Sequence, residues 1–111
     1  MAKTNMTQRQ IQAQLDEASF ADLEILGKYQ GKEIIFEEDH TYGGVLNEFG
    51  QEFVHITYLK GYDLPFDSIW TGFKALDTFT YFPPQTFRRS KIERIVLIED
   101  VIKYRELKKS K

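Results

Sequence analysis

The chain has 111 residues, a length suited to one domain, which we place over residues 1–111, and it contains no cysteine, so disulfide frameworks, thiolate metal sites and thiol nucleophiles are excluded together. The net charge of -2 speaks against a nucleic-acid protein, yet residues 1–87 carry 6 Lys or Arg against 13 Asp or Glu, for -7, while residues 88–111 carry 9 against 4, for +5. A basic end on an acidic body concentrates a positive field that draws polyanions; lysines that solubilise a closing helix and complement its dipole give the same pattern.

Met1 to Gln10 is polar and has no apolar core before a small-residue cleavage site, so no signal peptide is expected. The longest apolar run, Ile95 to Ile98, falls far short of the roughly 20 residues that span a bilayer. A soluble, cytoplasmic protein with no membrane contact is the expectation.

In chain order, Thr7 followed by Gln10 forms a capping box, and Ile11, Leu15 and Ala18 repeat at helical spacing, which predicts an N-terminal helix over 1–18. Ser19 precedes Phe20, Leu23 and Leu26 at the same spacing, with Gly27 as a C-cap; Leu23 to Leu26 equally suits the start of a strand. From Lys28 the period turns to two. Lys32 to Glu38, with Ile34, Ile35 and Phe36, reads as a strand buried on at least one face. The acidic run Glu37-Glu38-Asp39-His40 lacks the alternate ligand spacing of a calcium loop and reads as a solvated turn, so no metal is assigned. Gly43-Gly44 and Asn47 to Gly50 read as turns around a short Val45-Leu46 element.

Glu52 to Lys60 carries the clearest strand pattern, with Val54, Ile56 and Tyr58 on one face, His55 on the other and Gly61 closing it. His55 has no cysteine, second histidine or carboxylate at a catalytic or ligand spacing. Residues 61–75 lose period and gain aromatics, reading as a long loop pinned by Tyr62, Phe66, Trp70 and Phe73. Ten of the 16 aromatics lie between Phe53 and Phe87, and most are expected to fill a core; Tyr62, Phe82 and Phe87, beside charge or proline, are expected at the surface.

Asp77 to Phe82 again alternates as a strand. Pro83 and Pro84 cannot donate to a ladder, which predicts that the chain leaves the sheet there as a stiff arm carrying Phe87 beside Arg88 and Arg89. Ile92 to Glu99 is β-branched and reads as a central strand, and Asp100 starts a closing helix over 100–111 that turns Val101, Ile102 and Leu107 to the body.

The run Gly31-Lys32-Glu33-Ile34-Ile35, the run Phe79-Thr80-Tyr81-Phe82-Pro83-Pro84 and the triplet Arg94-Ile95-Val96 together resemble the small PrgU-like proteins of enterococcal pheromone-responsive conjugative plasmids. That resemblance implies a PUA-like fold and a cytoplasmic regulator acting on RNA to limit production of conjugation surface proteins. Pattern and resemblance together give an α+β fold, a small, highly curved mixed β-sheet or partly open barrel, PUA-like or SH3-like, with N- and C-terminal helices around a β-rich body over 28–99.

The leading functional expectation is a non-enzymatic RNA-binding regulator in which Arg88, Arg89, Lys91 and Arg94 meet phosphates and Phe87 stacks on a base. The alternative is a protein-interaction module that uses the aromatic loop over 62–73 for a partner or a second copy. No phosphate loop, nucleophile elbow or paired-histidine motif points to catalysis, and no cofactor is assigned.

Overall fold

The computed structural model of the chain describes residues 21–70, 76 and 78–109. The helix expected over 1–18, the Ser19 cap, residues 71–75 with Phe73, and residues 110–111 lie outside them.

The described chain opens on helix α1 (Leu23–Tyr29), which settles the helix-or-strand alternative at Leu23 to Leu26. Asp22 is its N-cap: the carboxylate accepts from the Ile25 backbone N–H at 2.8 Å, satisfying one of the orphan donors of the first turn. Gly27 lies inside the helix, and the chain reverses at Gly31, whose φ of 81° is the left-handed conformation a glycine takes most cheaply. The Gly31 N–H donates to the Leu46 carbonyl at 2.7 Å, so the reversal is also tied to the sheet.

Strands β1 (Glu33–Glu38), β2 (His40–Phe49), β3 (Phe53–Tyr62), β4 (Phe79–Tyr81), β5 (Gln85–Arg88) and β6 (Arg94–Leu97) form one sheet, in the order β4-β3-β2-β1-β6 with β5 also on β3. Every pairing is antiparallel, which corrects the expectation of a mixed sheet. Short hairpins account for the β1–β2 and β2–β3 pairings, since they join antiparallel neighbours without the long crossovers that parallel strands need. The path is open, for among the described residues neither β6 nor the β4 and β5 end has a further strand beside it.

Ile34, Ile35 and Phe36 are all buried because both faces of β1 are covered. One face turns Ile34 and Phe36 into a core with Leu26 of α1, Val54, Ile56, Leu59, Phe87 and Ile95. The other turns Ile35 into a second core with Tyr62, Leu64, Phe66, Ile69, Val96 and Val101. A 3₁₀ turn (Phe66–Trp70) and helix α2 (Ile98–Lys109) cover that second face, so the helix starts at Ile98 rather than Asp100. Val101 is buried and Leu107 half-buried as expected, but Ile102 faces outward. No described helix is long and apolar enough to cross a membrane.

The acidic run is a tight hairpin turn, with Asp39 at φ 63°, a conformation Asp and Asn adopt more readily than most residues. Gly43 and Gly44 make no turn; β2 runs through them. They allow close approach instead, since a Cβ on Gly43 would lie 2.7 Å from the Tyr62 ring and one on Gly44 would lie 2.5 Å from Ile56 Cγ2.

Opposite Gly44 the ladder is irregular: β2 places one residue between Gly43 and Val45, while β3 places Tyr58 and Leu59 between Thr57 and Lys60. This β-bulge reverses the expected alternation. Leu59 takes the core position, and Tyr58, with a φ of 51°, is turned out.

The prolines do not carry the chain away from the sheet. Ile56 faces Gln85 and Lys60 faces Tyr81, four residues on from each partner along each strand, so β4 and β5 share one register along β3. Phe82 to Pro84 only interrupts the ladder, and the Phe82 N–H still donates to the Leu59 carbonyl at 2.9 Å. Proline is tolerated there because an edge strand has one side with no partner to donate to.

Candidate functional site

Four of the six exposed large hydrophobic residues among those described lie along the interrupted edge strand or the strand β3 beside it. Tyr58 is 72% exposed, Tyr81 66%, Phe82 42% and Phe53 39%, and all four lie on β3 or on the segment that pairs with it. Each is held differently. The bulge turns Tyr58 out, at a backbone conformation unusual for a bulky residue. Tyr81 packs edge-on to Phe79 with ring centroids 4.9 Å apart, and Phe79 in turn meets Tyr62 at 5.8 Å. Phe82 lies over Gly61, where a Cβ would come within 2.5 Å of its ring, and reaches Tyr42 at 6.5 Å. The Lys60 ammonium sits 4.8 Å from the Phe79 centroid and pairs with Glu33 at 3.7 Å, so the cation nearest this cluster is already engaged. The outer backbone groups of β5 meet no strand among the described residues.

The five residues singled out for nucleic acid are brought near one another in the chain but not into one surface. Phe87 is only 7% exposed; its ring packs against Phe36 at 5.1 Å and Tyr42 at 5.5 Å, so it has no free face on which to stack a base. Strand alternation is the cause, since Thr86 and Arg88 point out and Phe87 therefore points in. Arg89 is a tether: its guanidinium donates to the Gln51 carbonyl at 2.6 Å and the Ala21 carbonyl at 3.0 Å, tying the start of α1 to the β2–β3 turn. Arg94 bridges Glu37 at 2.8 Å and Asp67 at 2.6 Å while lying 4.6 Å from the Phe66 centroid. Its hydrogen bond to Glu37 raises its affinity for its proton still further. Arg88 and Lys91 remain exposed, with no ion pair among the described residues.

The described part of the 62–73 loop is likewise drawn inward. Tyr62, Phe66 and Ile69 are buried in the second core, where burial, with Glu33 adding a smaller effect, pushes the Tyr62 phenol up to about 12. Of the three rings expected at the surface, only Phe82 is there, and Tyr58 and Tyr81 join it. Phe82 stands beside Pro83 and Tyr81 one residue before it, whereas nothing local to Tyr58 reveals a bulge that depends on Gly44 across the ladder. Among the described residues no group of three or more His, Cys, Asp or Glu is placed to hold a metal ion.

No family model matches the chain, and no curated protein does. Among solved structures it is similar to a heptameric archaeal Sm protein, described for its implications for the eukaryotic snRNP core, at 13% identity over 67% of this chain and 96% of that one, with a TM-score of 0.48. It is also similar to a chain of the NatC complex bound to CoA, at 14% identity over 78% of this chain and 99% of that one, with a TM-score of 0.46. At those scores neither says what this chain binds.

Proposed function

We propose that this protein is a non-enzymatic interaction module that receives an extended segment of a partner protein along the β4 and β5 edge. The observation that carries this reading is the coincidence of an unpaired edge with the exposed rings of Phe53, Tyr58, Tyr81 and Phe82. Backbone groups on such an edge supply hydrogen bonds to an added strand, and aromatic side chains supply the anchoring contacts that dominate interfaces. Pro83 and Pro84 lack N–H donors and interrupt the middle of the edge, so it offers two short paired stretches rather than a continuous template. A specific partner fits that geometry better than indefinite sheet growth.

The test is selection of binders from a random linear-peptide display library, followed by affinity measurement on the parent protein and on Tyr81→Ser. Loss of about 2 kcal/mol, roughly thirtyfold in Kd, is expected for removing an anchoring ring. Selected peptides that bind Tyr81→Ser and Phe82→Ser as tightly as the parent would remove the edge from consideration.

A second reading keeps the RNA-acting regulator of conjugation genes and the PUA-like or SH3-like barrel that the resemblance implies. What favours it is that Arg88 and Lys91 stay exposed and unpaired among the described residues. Phe87 has no part in it. On this reading RNA binding weakens steeply with salt, and Arg88→Gln with Lys91→Gln lowers the salt slope by up to about two; RNA binding without that salt dependence would exclude it.

A further inference from the structure

Where β2 begins and β3 ends, two adjoining clefts of about 380 and 350 Å³ share His40, Thr41, Tyr62 and Asp63 as walls. The first adds Glu37, Asp39 and Phe66; the second adds Thr80 and Phe82 and so opens onto the edge described above. We infer that these clefts receive the guanidinium group of an arginine side chain carried by the partner segment. The inference rests on the proposed edge reading only in supposing that the arginine belongs to a peptide.

Three observations converge on that chemistry. The protein already solves the same problem beside the cleft, where the Arg94 guanidinium bridges Glu37 and Asp67 over the face of Phe66. That engages Glu37 and Asp67 with one shared cation and leaves the trio at -1. Asp39 and Asp63, on the cleft walls, are exposed and have no cation partner among the described residues. Thr41 is the third. It is the one buried polar residue of the described chain, 3% exposed, and it pairs directly with Glu37 on β1 and Tyr62 on β3. Directly opposed residues share a face, so its side chain stands between those two on the cleft floor. Its hydroxyl makes no hydrogen bond to another described residue and is not sealed in the core: it opens onto the clefts, where an incoming donor can use it.

The choice of arginine over lysine follows from shape. A planar guanidinium offers five donors in a fork, enough for two carboxylates and a hydroxyl at once, and it lies flat on aromatic faces such as those of Tyr62 and Phe82. A compact ammonium is more strongly hydrated and cannot reach three acceptors set on three strands and loops in this way. An acetylated, amidated Gly-Arg-Gly peptide is the probe, titrated into the isotope-labelled protein and followed by amide shifts. It is too short to occupy both halves of the edge, so it reads the clefts alone.

The expected result is saturable shifts at Asp39, Thr41 and Asp63. Affinity should fall about tenfold in Asp39→Asn with Asp63→Asn, as expected for losing charge-assisted hydrogen bonds, and severalfold in Thr41→Val. The citrulline analogue, which keeps the shape and loses the charge, should not bind. Asn at position 39 accepts the left-handed backbone, so the double variant keeps its turn. Equal binding of the arginine and citrulline peptides, shifts confined to other residues, or unchanged affinity in the double variant would each overturn the inference. The edge reading has a separate fate, because Tyr81→Ser should weaken long selected peptides while leaving the Gly-Arg-Gly titration unchanged.

Discussion

Replacing Phe87 by Ala tests the reassignment of this ring from a base-stacking surface to the core. Phe87 lies among Phe36, Tyr42, Val54 and Ile56, and its contact with Phe36 is edge-to-face. Deleting a buried phenylalanine ring costs about 3–5 kcal/mol through lost transfer energy and the cavity left behind, including about 1 kcal/mol from the aromatic pairs. A domain of this size has roughly 5–15 kcal/mol in all, so a third or more of the total is at stake. With a urea m-value of about 2 kcal/mol per molar, the midpoint should move down by about 2 M. Phe87→Leu refills most of the space and should cost about 1.5 kcal/mol or less. Urea denaturation followed by far-ultraviolet circular dichroism reads both. A Phe87→Ala midpoint equal to that of the parent would refute the reasoning, since a ring that can be deleted freely is not packed as described.

Ile56→Ala, at a fully buried position of β3, should lower stability by about 2–5 kcal/mol in the same assay, and an unchanged midpoint would mean that the strand is not buried. Arg94→Gln should cost on the order of 1–2 kcal/mol at low salt, discounted because the side chain is about a third exposed, and the difference should shrink in high salt as screening weakens both ion pairs. For Tyr62 the folded phenol is raised to about 12 from an ordinary value of 10.0. Its burial therefore contributes stability that is fully present below pH 10 and is lost as the pH rises towards 12. Ultraviolet titration of tyrosinate should show a late step that disappears in Tyr62→Phe; a titration curve identical in that variant would contradict the placement of the ring.

Periodicity revealed the elements that depend on their own residues. Ile34 to Phe36 and Val54 to Ile56 announce β1 and β3 because side-chain direction in a strand follows from position alone. What depends on a cross-strand neighbour was illegible. The outward turn of Tyr58 requires Gly44 on the next strand, and Gly43-Gly44 looked like a turn because close approach to Tyr62 and Ile56 leaves no local mark. The missing donors of the proline pair are visible in sequence and point to an exit, whereas its place on an outer edge is not visible there. Phe87 is the instructive case: adjacency to Arg88 and Arg89 suggested a presented ring, yet alternation through Thr86, Phe87 and Arg88 already points it inward. The engagement of Arg89 with two carbonyls and of Arg94 with two carboxylates arises only from folding, and it removes both from the candidate site.

The central claim is that an extended partner pairs with the β5 edge. Amide hydrogen exchange of the isotope-labelled protein, measured alone and with a display-selected peptide bound, addresses it directly. The amides of Gln85 to Arg88 that do not pair with β3 should exchange fast in the unbound protein, and the account predicts that they become protected on binding, with protection weakening towards Pro83 and Pro84. Saturating peptide that leaves those amides exchanging at the unbound rate would contradict it.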